Sequence, residues 1–151
     1  MARAPSPDYL PLVSPWLLDT GPLVAALNRR DPAHSRCTAA LAAFTGPLWT
    51  TGAVVTEAMH FLSGVATGAE TLTELLDDAQ VDIRNCFSQT QLRAAARLMK
   101  KYAEAPMDFA DATLVLLAEE TGHSEILTLD LRGFRTYRYR GKGRFNLVLN
   151  P

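Results

Sequence analysis

The sequence is poor in features that would define its function at once. It has only two cysteines, Cys37 and Cys86, too few for a disulfide framework and at no metal-ligand spacing, so we expect two buried free thiols. Its apolar runs are too short to cross a bilayer, and the first fifteen residues lack the hydrophobic region of a signal peptide. These absences indicate a cytoplasmic protein with no membrane association.

The chain also lacks an excess of charge of either sign. The net charge of −1 excludes a molecule that attracts polyanions as a whole, so any nucleic-acid affinity must come from local basic clusters. The remaining composition, 48% apolar and 21% charged over 151 residues, is ordinary and fits one domain with a single core. We expect a Pro-rich extension over 1–15 and one domain over 16–151.

The most informative stretch begins at Trp16. A short apolar run ends at Asp19, and a Thr-Gly-Pro turn then opens an apolar helix. Such a run is typical of a buried parallel strand, and Thr20 and Pro22 suit the cap and first turn of a helix. Asp19 is therefore predicted at the carboxyl end of a central strand, where open α/β sheets build their sites.

Strands and helices alternate along the rest of the chain. This alternation predicts a three-layer α/β/α sandwich with a central, mainly parallel sheet. Strands are predicted over 16–18, 48–51, 81–84 and 125–130, with one or two more over 137–149. Helices are predicted after 19 and over 33–44, 53–63, 70–79, 88–102 and 109–121.

Four carboxylates lie where burial is unfavourable for an unpaired charge. Asp19 and Asp130 each end an apolar strand, whereas Glu57 and Asp111 border the apolar faces of their helices. If the four converge, they form a negative cluster that a hard divalent cation such as Mg²⁺ or Mn²⁺ would stabilise. The corresponding chemistry is metal-assisted hydrolysis of a phosphodiester.

Each acid also has a purely structural interpretation. Asp19 can cap the following helix, Glu57 can lie at the edge of its own, and Asp130 can be a turn residue. Asp108 fits a helix N-cap with Asp111 at the third helical position, so Asp108 is assigned the structural role first. The four together, not any one alone, carry the hypothesis.

These residues resemble the PIN-domain family, and within it the VapC toxins of toxin–antitoxin pairs. The similarity covers about 16–149 and is carried by four pieces in the family's order: Leu17-Leu18-Asp19-Thr20-Gly21-Pro22, Thr56-Glu57-Ala58, Met107-Asp108-Phe109-Ala110-Asp111, and Leu127-Thr128-Leu129-Asp130 followed by Phe134. The resemblance implies a Mg²⁺- or Mn²⁺-dependent endoribonuclease. It also implies an RNA substrate (tRNA among the candidates), a VapB-type antitoxin and a homodimer.

The same resemblance assigns the site residues. Asp19, Glu57, Asp111 and Asp130 are implied to be the catalytic and metal-binding acids, with Asp108 as a fifth, outer acid. Thr128 and Thr20 are implied to support them. Many relatives have a further acid just before the phenylalanine, where this chain has Gly133, so we expect an altered loop with the site retained.

RNA contacts are predicted from the basic tail. The stretch 131–151 has no acid, and its Tyr137-Arg138-Tyr139-Arg140 alternation would place arginines and tyrosines on opposite faces of a strand. The candidate RNA-binding residues are Arg132, Arg135, Arg138 and Arg140. An edge strand with its tyrosines in the core is equally compatible, and the stripe Arg93, Arg97, Lys100 and Lys101 is interpreted as a solvated helix face.

Two alternatives remain beside the nuclease. A haloacid-dehalogenase-type phosphohydrolase needs a second aspartate two residues after the first, and Gly21 stands there, so this enzyme class is rejected. A catalytically silent PIN-like module that binds RNA or protein stays open, although such modules usually lack one or more of the acids that this chain keeps.

Overall fold

The computed structural model describes residues 13–85 and 87–150. The prediction for Cys86 and most of the predicted N-terminal extension lie outside these residues. Cys37 is a buried free thiol, as predicted. None of the helices in the described ranges has both the length and the apolar character needed to span a membrane.

The elements follow the predicted alternation up to residue 127, but three short strands lie over 137–149, where one or two were predicted. The strands are β1 Trp16–Leu18, β2 Leu48–Thr51, β3 Asp82–Arg84, β4 Glu125–Leu127, β5 Arg138–Tyr139, β6 Gly143–Arg144 and β7 Asn146–Leu147. The helices are α1 Thr20–Leu27, α2 His34–Ala43, α3 Gly52–Leu62, α4 Gly68–Asp78, α5 Gln89–Lys101, α6 Phe109–Thr121 and α7 Leu131–Thr136.

The central sheet is parallel throughout its described part. Its strand order is β3-β2-β1-β4-β7, and β5 and β6 form a separate antiparallel pair. Helices flank this sheet, which confirms the predicted sandwich. β1 is its middle strand, and Leu17 and Leu18 are almost completely buried. The carboxyl ends of β1 and β4 therefore meet at the centre of one sheet edge.

The segment after β4 differs from its prediction. A strand was predicted over 125–130, but β4 ends at Leu127, and Asp130 is the N-cap of the unpredicted helix α7. Asp130 accepts a hydrogen bond from the Gly133 amide, and Phe134 packs edge-on against Tyr137 and Phe145. The cap and this aromatic packing stabilise a six-residue helix that local propensity alone would not support.

Candidate active site

The predicted acids converge in one cleft at the carboxyl ends of β1 and β4. The cleft has a volume of about 450 Å³ and contains no basic side chain among its lining residues. We call it the acidic cleft. Its six carboxylates belong to Asp19, Asp31, Glu57, Asp108, Asp111 and Asp130. All five acids expected from the sequence are therefore brought together.

Asp31 is the sixth acid and was missed as a site residue. It lies in the turn between α1 and α2, where its carboxylate accepts a hydrogen bond from the Ala33 amide at 2.8 Å. The sequence suggested that Asp31 caps α2, but the N-cap of that helix is Ala33 and Asp31 forms only a turn bond, which nothing local distinguished from that of an ordinary turn aspartate. Only the packing of α1 beside the sheet places it at the cleft.

Asp19 is held at both carboxylate oxygens. Oδ1 accepts a hydrogen bond from the Thr20 amide at 2.8 Å, and Oδ2 accepts one from the Thr128 hydroxyl at 2.7 Å. Burial raises the pKa of Asp19 to about 6, although these two bonds act in the opposite direction. Asp19 is thus an oriented carboxylate in a place that disfavours its charge.

The expected role of Thr20 as a helix cap is wrong. Asp19 is the N-cap of α1, and Thr20 is the first helical residue. The Thr20 hydroxyl is buried without a hydrogen-bond partner among the described residues. It lies near enough to Glu57 to offset part of the rise that burial causes in the pKa of that carboxyl. Thr20 therefore points its free hydroxyl toward the acids, which keeps its predicted supporting role open.

Asp108 and Asp111 form a reciprocal capping box at the start of α6. Asp108 Oδ1 accepts a hydrogen bond from the Asp111 amide at 2.8 Å, and Asp111 Oδ2 accepts one from the Asp108 amide at 3.1 Å. The structural role assigned to Asp108 is confirmed. The box fixes the Asp111 backbone, so its side chain projects from a rigid first turn.

Asp111 is the most strongly perturbed acid of the cleft. Burial, followed by the charges of Asp19 and Asp108, raises its pKa to about 8. Burial also raises the pKa of Glu57 on α3, and the nearby Asp108 adds to that rise. Burial is therefore the main cause of both shifts, and the neighbouring carboxylates add to it.

Thr128 connects the two strand ends. Its hydroxyl donates to Asp19 and accepts a hydrogen bond from the Asp130 amide at 3.0 Å. This one side chain therefore sets the position of the β1 carboxylate against the turn that carries Asp130. Its predicted supporting role has a definite structural basis.

Gly133 stands at the position before Phe134 where many relatives have an acid. A Cβ at this position would collide with the Asp130 carboxylate and come within 2.9 Å of the Tyr137 hydroxyl. The absent side chain lets the Asp130 carboxylate fold back onto the Gly133 amide. The buried Tyr137 completes this packing and lies 3.4 Å from Asp111 Oδ2.

The side chains of the acidic cleft are of the type that a hard divalent cation prefers, because they offer only carboxylate and hydroxyl oxygens as ligands. In the described parts of the chain, however, no three His, Cys, Asp or Glu side chains are arranged so that they could hold a metal ion as they stand. Asp19, Asp108, Asp111 and Asp130 all point oxygens at backbone amides. These bonds fix the four carboxylates at the starts of α1, α6 and α7.

The arginines of the predicted RNA face have unequal surroundings. The Arg138 guanidinium donates to the carbonyls of Arg135, Thr136 and Tyr137, and Arg140 Nε donates to the Glu119 carbonyl. Tyr137 is buried and Tyr139 of β5 packs against the core, so the interpretation with tyrosines in the core fits better. Arg132 and Arg135 remain exposed on α7.

Comparison with known families decides the affiliation. The model of the PIN domain matches residues 16–138, which include every predicted acid. The chain belongs to the PIN-domain family. Its match to Ribonuclease VapC26 of Mycobacterium tuberculosis has 30% identity over 135 residues and covers 87% of this chain and 98% of that protein. This PIN domain is therefore of the VapC type.

A solved structure shows the same fold. The crystal structure of Mycobacterium tuberculosis VapC20, a sarcin–ricin loop cleaving toxin, superposes with a TM-score of 0.66 at 18% identity, covering 73% of this chain and 85% of that one. The parallel sheet and its flanking helices are thus those of a PIN domain, and the acidic cleft lies within the segment that matches the family.

Proposed function

We propose that this PIN domain is a divalent-metal-dependent endoribonuclease and the toxin of a toxin–antitoxin pair. The observation that carries the proposal is the acidic cleft, in which carboxylates from the end of β1, the start of α7, and helices α3 and α6 meet with no basic side chain in the lining. Catalytic centres are where such unfavourable charge is typically kept. The match to a VapC ribonuclease supports RNA as the substrate.

The metal ligands in this proposal are Asp19, Glu57, Asp111 and Asp130, with Asp108 as an outer acid. A bound Mg²⁺ or Mn²⁺ supplies Lewis acidity at a phosphoryl oxygen and a water of lowered pKa. Thr128 and the Thr20 amide orient Asp19, and the capping box holds Asp111 in place. Burial raises the pKa of Asp111 to about 8, so this carboxyl holds a proton more strongly than an ordinary aspartate.

The VapC-type affiliation also supports a set of partners. We include a VapB-type antitoxin, a homodimer, a cytoplasmic location and tRNA among the candidate substrates. In this scheme a basic side chain of the antitoxin would neutralise the acidic cleft, which agrees with the unpaired carboxylates that line it.

The deciding experiment is cleavage of a mixed RNA pool, tRNA included, by purified protein shown to be free of antitoxin. Parallel reactions contain Mg²⁺, Mn²⁺ or EDTA. We expect discrete fragments that disappear with EDTA, and a loss on the order of 10²–10³-fold in Asp19→Asn, since the substitution removes one preorganised charge from the reacting centre. Asp82→Asn, on an exposed strand outside the cleft, is the matched control.

Two results would contradict the assignment. Unchanged cleavage by Asp19→Asn would show that the acidic cleft is not the catalytic site. RNA that binds tightly but is never cut, in either metal, would favour the silent binding module instead.

A further inference from the structure

A second concavity lies beside the acidic cleft and has the opposite charge. It has a volume of about 480 Å³, and its lining includes Lys100, Lys101, Tyr102, Glu104 and Arg132. We call it the basic groove. Its cations come from two elements that are distant in sequence, the last turn of α5 and the first turn of α7.

The basic groove and the acidic cleft are adjoining surfaces. Ala105 lines the groove, whereas the next residue, Pro106, lines the cleft. On the other side, Asp130 lines the cleft and Arg132 lines the groove. Since neighbouring Cα atoms are about 3.8 Å apart, the two linings meet within roughly 8 Å along the chain.

The groove's cations are not neutralised by neighbours. The described ranges contain one ion pair, Arg84 with Asp82, and it lies on another part of the sheet. Glu104 lines the groove but forms no ion pair with Lys100, Lys101 or Arg132.

Helix ends explain part of this charge but not its placement. Lysines in the last turn of α5 complement the helix dipole wherever that helix points. That effect does not account for an arginine from another helix in the same concavity. Arg132 is also fixed relative to the site, because the N-cap of its own helix is the cleft residue Asp130.

We propose that the basic groove binds the phosphate backbone of the RNA strand next to the scissile phosphate, with Lys100, Lys101 and Arg132 as the contacts. The proposal rests on the endoribonuclease function above and names where its substrate is held. A cleft lined by six carboxylates repels a polyanion, so affinity must come from a neighbouring surface. An arginine fork and two ammonium groups suit phosphate oxygens.

The test compares two triple variants with equal loss of charge. The groove variant is Lys100→Gln, Lys101→Gln and Arg132→Gln, and the control variant is Arg36→Gln, Arg93→Gln and Lys142→Gln, whose positions are exposed and outside the groove lining. The probe is a short, fluorescein-labelled single-stranded RNA of mixed sequence. Its Kd is measured in EDTA between about 50 and 200 mM salt, and cleavage of the RNA pool is measured separately in Mg²⁺ and Mn²⁺.

We expect the groove variant to bind the probe about 10- to 100-fold more weakly than wild type. The slope of log Kd against log salt should become shallower by about 2, because each lost phosphate contact on a single strand contributes about 0.7. The control variant should retain the wild-type slope, apart from a small uniform weakening. A milder pair of variants is Arg132→Gln and the charge-preserving Arg132→Lys. Their slopes of log Kd against log salt are expected to differ by about 0.7.

The outcomes separate this inference from the proposed function. Equal slopes and Kd values for the groove and control variants, in a protein that cleaves RNA, would overturn the groove and leave the nuclease intact. A groove-specific loss of binding in a protein that never cleaves would support the groove and overturn the nuclease. A wild-type protein that neither binds nor cleaves RNA would overturn both.

Discussion

Carboxylates have different surroundings at two places on the central sheet. On the outer strand β3, Asp82 lies 2.7 Å from Arg84 Nε with both side chains partly exposed, and the guanidinium covers the Trp49 ring. At the centre of the sheet, the carboxylates of the acidic cleft face one another, and burial raises the pKa of Asp19 and Asp111. The outer pair is neutralised locally, whereas the central cluster is not.

The difference indicates what each group is for. An exposed ion pair contributes about 1 kcal/mol or less and tolerates replacement. A buried carboxylate with a raised pKa lowers the stability of the folded state at neutral pH, because folding disfavours its charge. A domain that retains several such groups in one place exchanges stability for function.

The largest expected effect is a pH dependence of stability that arises in the cleft. The folded-state pKa of Asp19 is about 6, above its ordinary 3.8, so its contribution is complete below pH 4 and is lost as the pH rises through 6. The corresponding contribution of Asp111 is lost as the pH rises through about 8. In EDTA, Tm should therefore fall between pH 5 and pH 8.

Asp19→Asn should remove the Asp19 part of this slope and raise Tm at pH 8. The pKa change of Asp19 corresponds to about 3 kcal/mol, or several degrees in Tm for a domain of this size. Asp82→Asn should shift Tm only slightly and leave the slope unchanged. A wild-type Tm that is flat or increases over this range would contradict the contrast between the two places.

A steric change at the cleft should come next in size. Gly133→Ala forces a Cβ against the Asp130 carboxylate and the Tyr137 hydroxyl. We expect a loss of about 1–3 kcal/mol in the free energy of unfolding, measured with urea, since this overpacks a partly buried contact. Gly64→Ala is the control because no heavy atom lies within 4 Å of its added Cβ. Equal stability of the two variants would show that Asp130 readily leaves its cap.

The hydroxyl of Thr128 offers a sharper test of orientation. Thr128→Val removes the hydrogen bond to Asp19 and should lower kcat about 10- to 100-fold, as for other groups that orient metal ligands. Thr128→Ser keeps the hydroxyl and should restore most of the activity. A serine variant as inactive as the valine variant would point to methyl packing instead of the hydrogen bond.

The smallest effect is expected at Tyr137. Its hydroxyl lies 3.4 Å from both the Pro106 carbonyl and Asp111 Oδ2, which are long contacts for one donor. Tyr137→Phe should therefore change the free energy of unfolding by less than about 1 kcal/mol in urea denaturation. A loss of several kcal/mol would mean that this hydroxyl is a principal support of the cleft.

The sequence was most informative where local rules decide the structure. Asp19 follows a continuously apolar run, which is the pattern of a central parallel strand. Asp108 and Asp111 are three residues apart, which is the spacing of a capping box. These rules located the central strand end and the start of α6 correctly. Their joint occurrence also pointed to a shared acidic cluster.

Other features depended on contacts between distant segments. Helix α7 contains a glycine and has only six residues, so its stability comes from the Asp130 cap and from Phe134 packing, which no local pattern displayed. Asp31 and Arg132 likewise gained their places only when separate helices packed beside the sheet. In the sequence, the residues of the basic groove therefore belong to two separate features, the basic stripe on α5 and the basic tail.

The reciprocal capping box adds a structural duty to the catalytic one proposed for Asp111, and this restricts how the protein could lose its activity by mutation. Alanine at position 111 removes a carboxylate from the cleft and also the hydrogen bond to the Asp108 amide, so a silenced protein would carry a weakened helix start as well. Asparagine can keep that bond while it discards the charge. Inactive descendants that still fold and occupy their partners should therefore favour asparagine at this position over alanine.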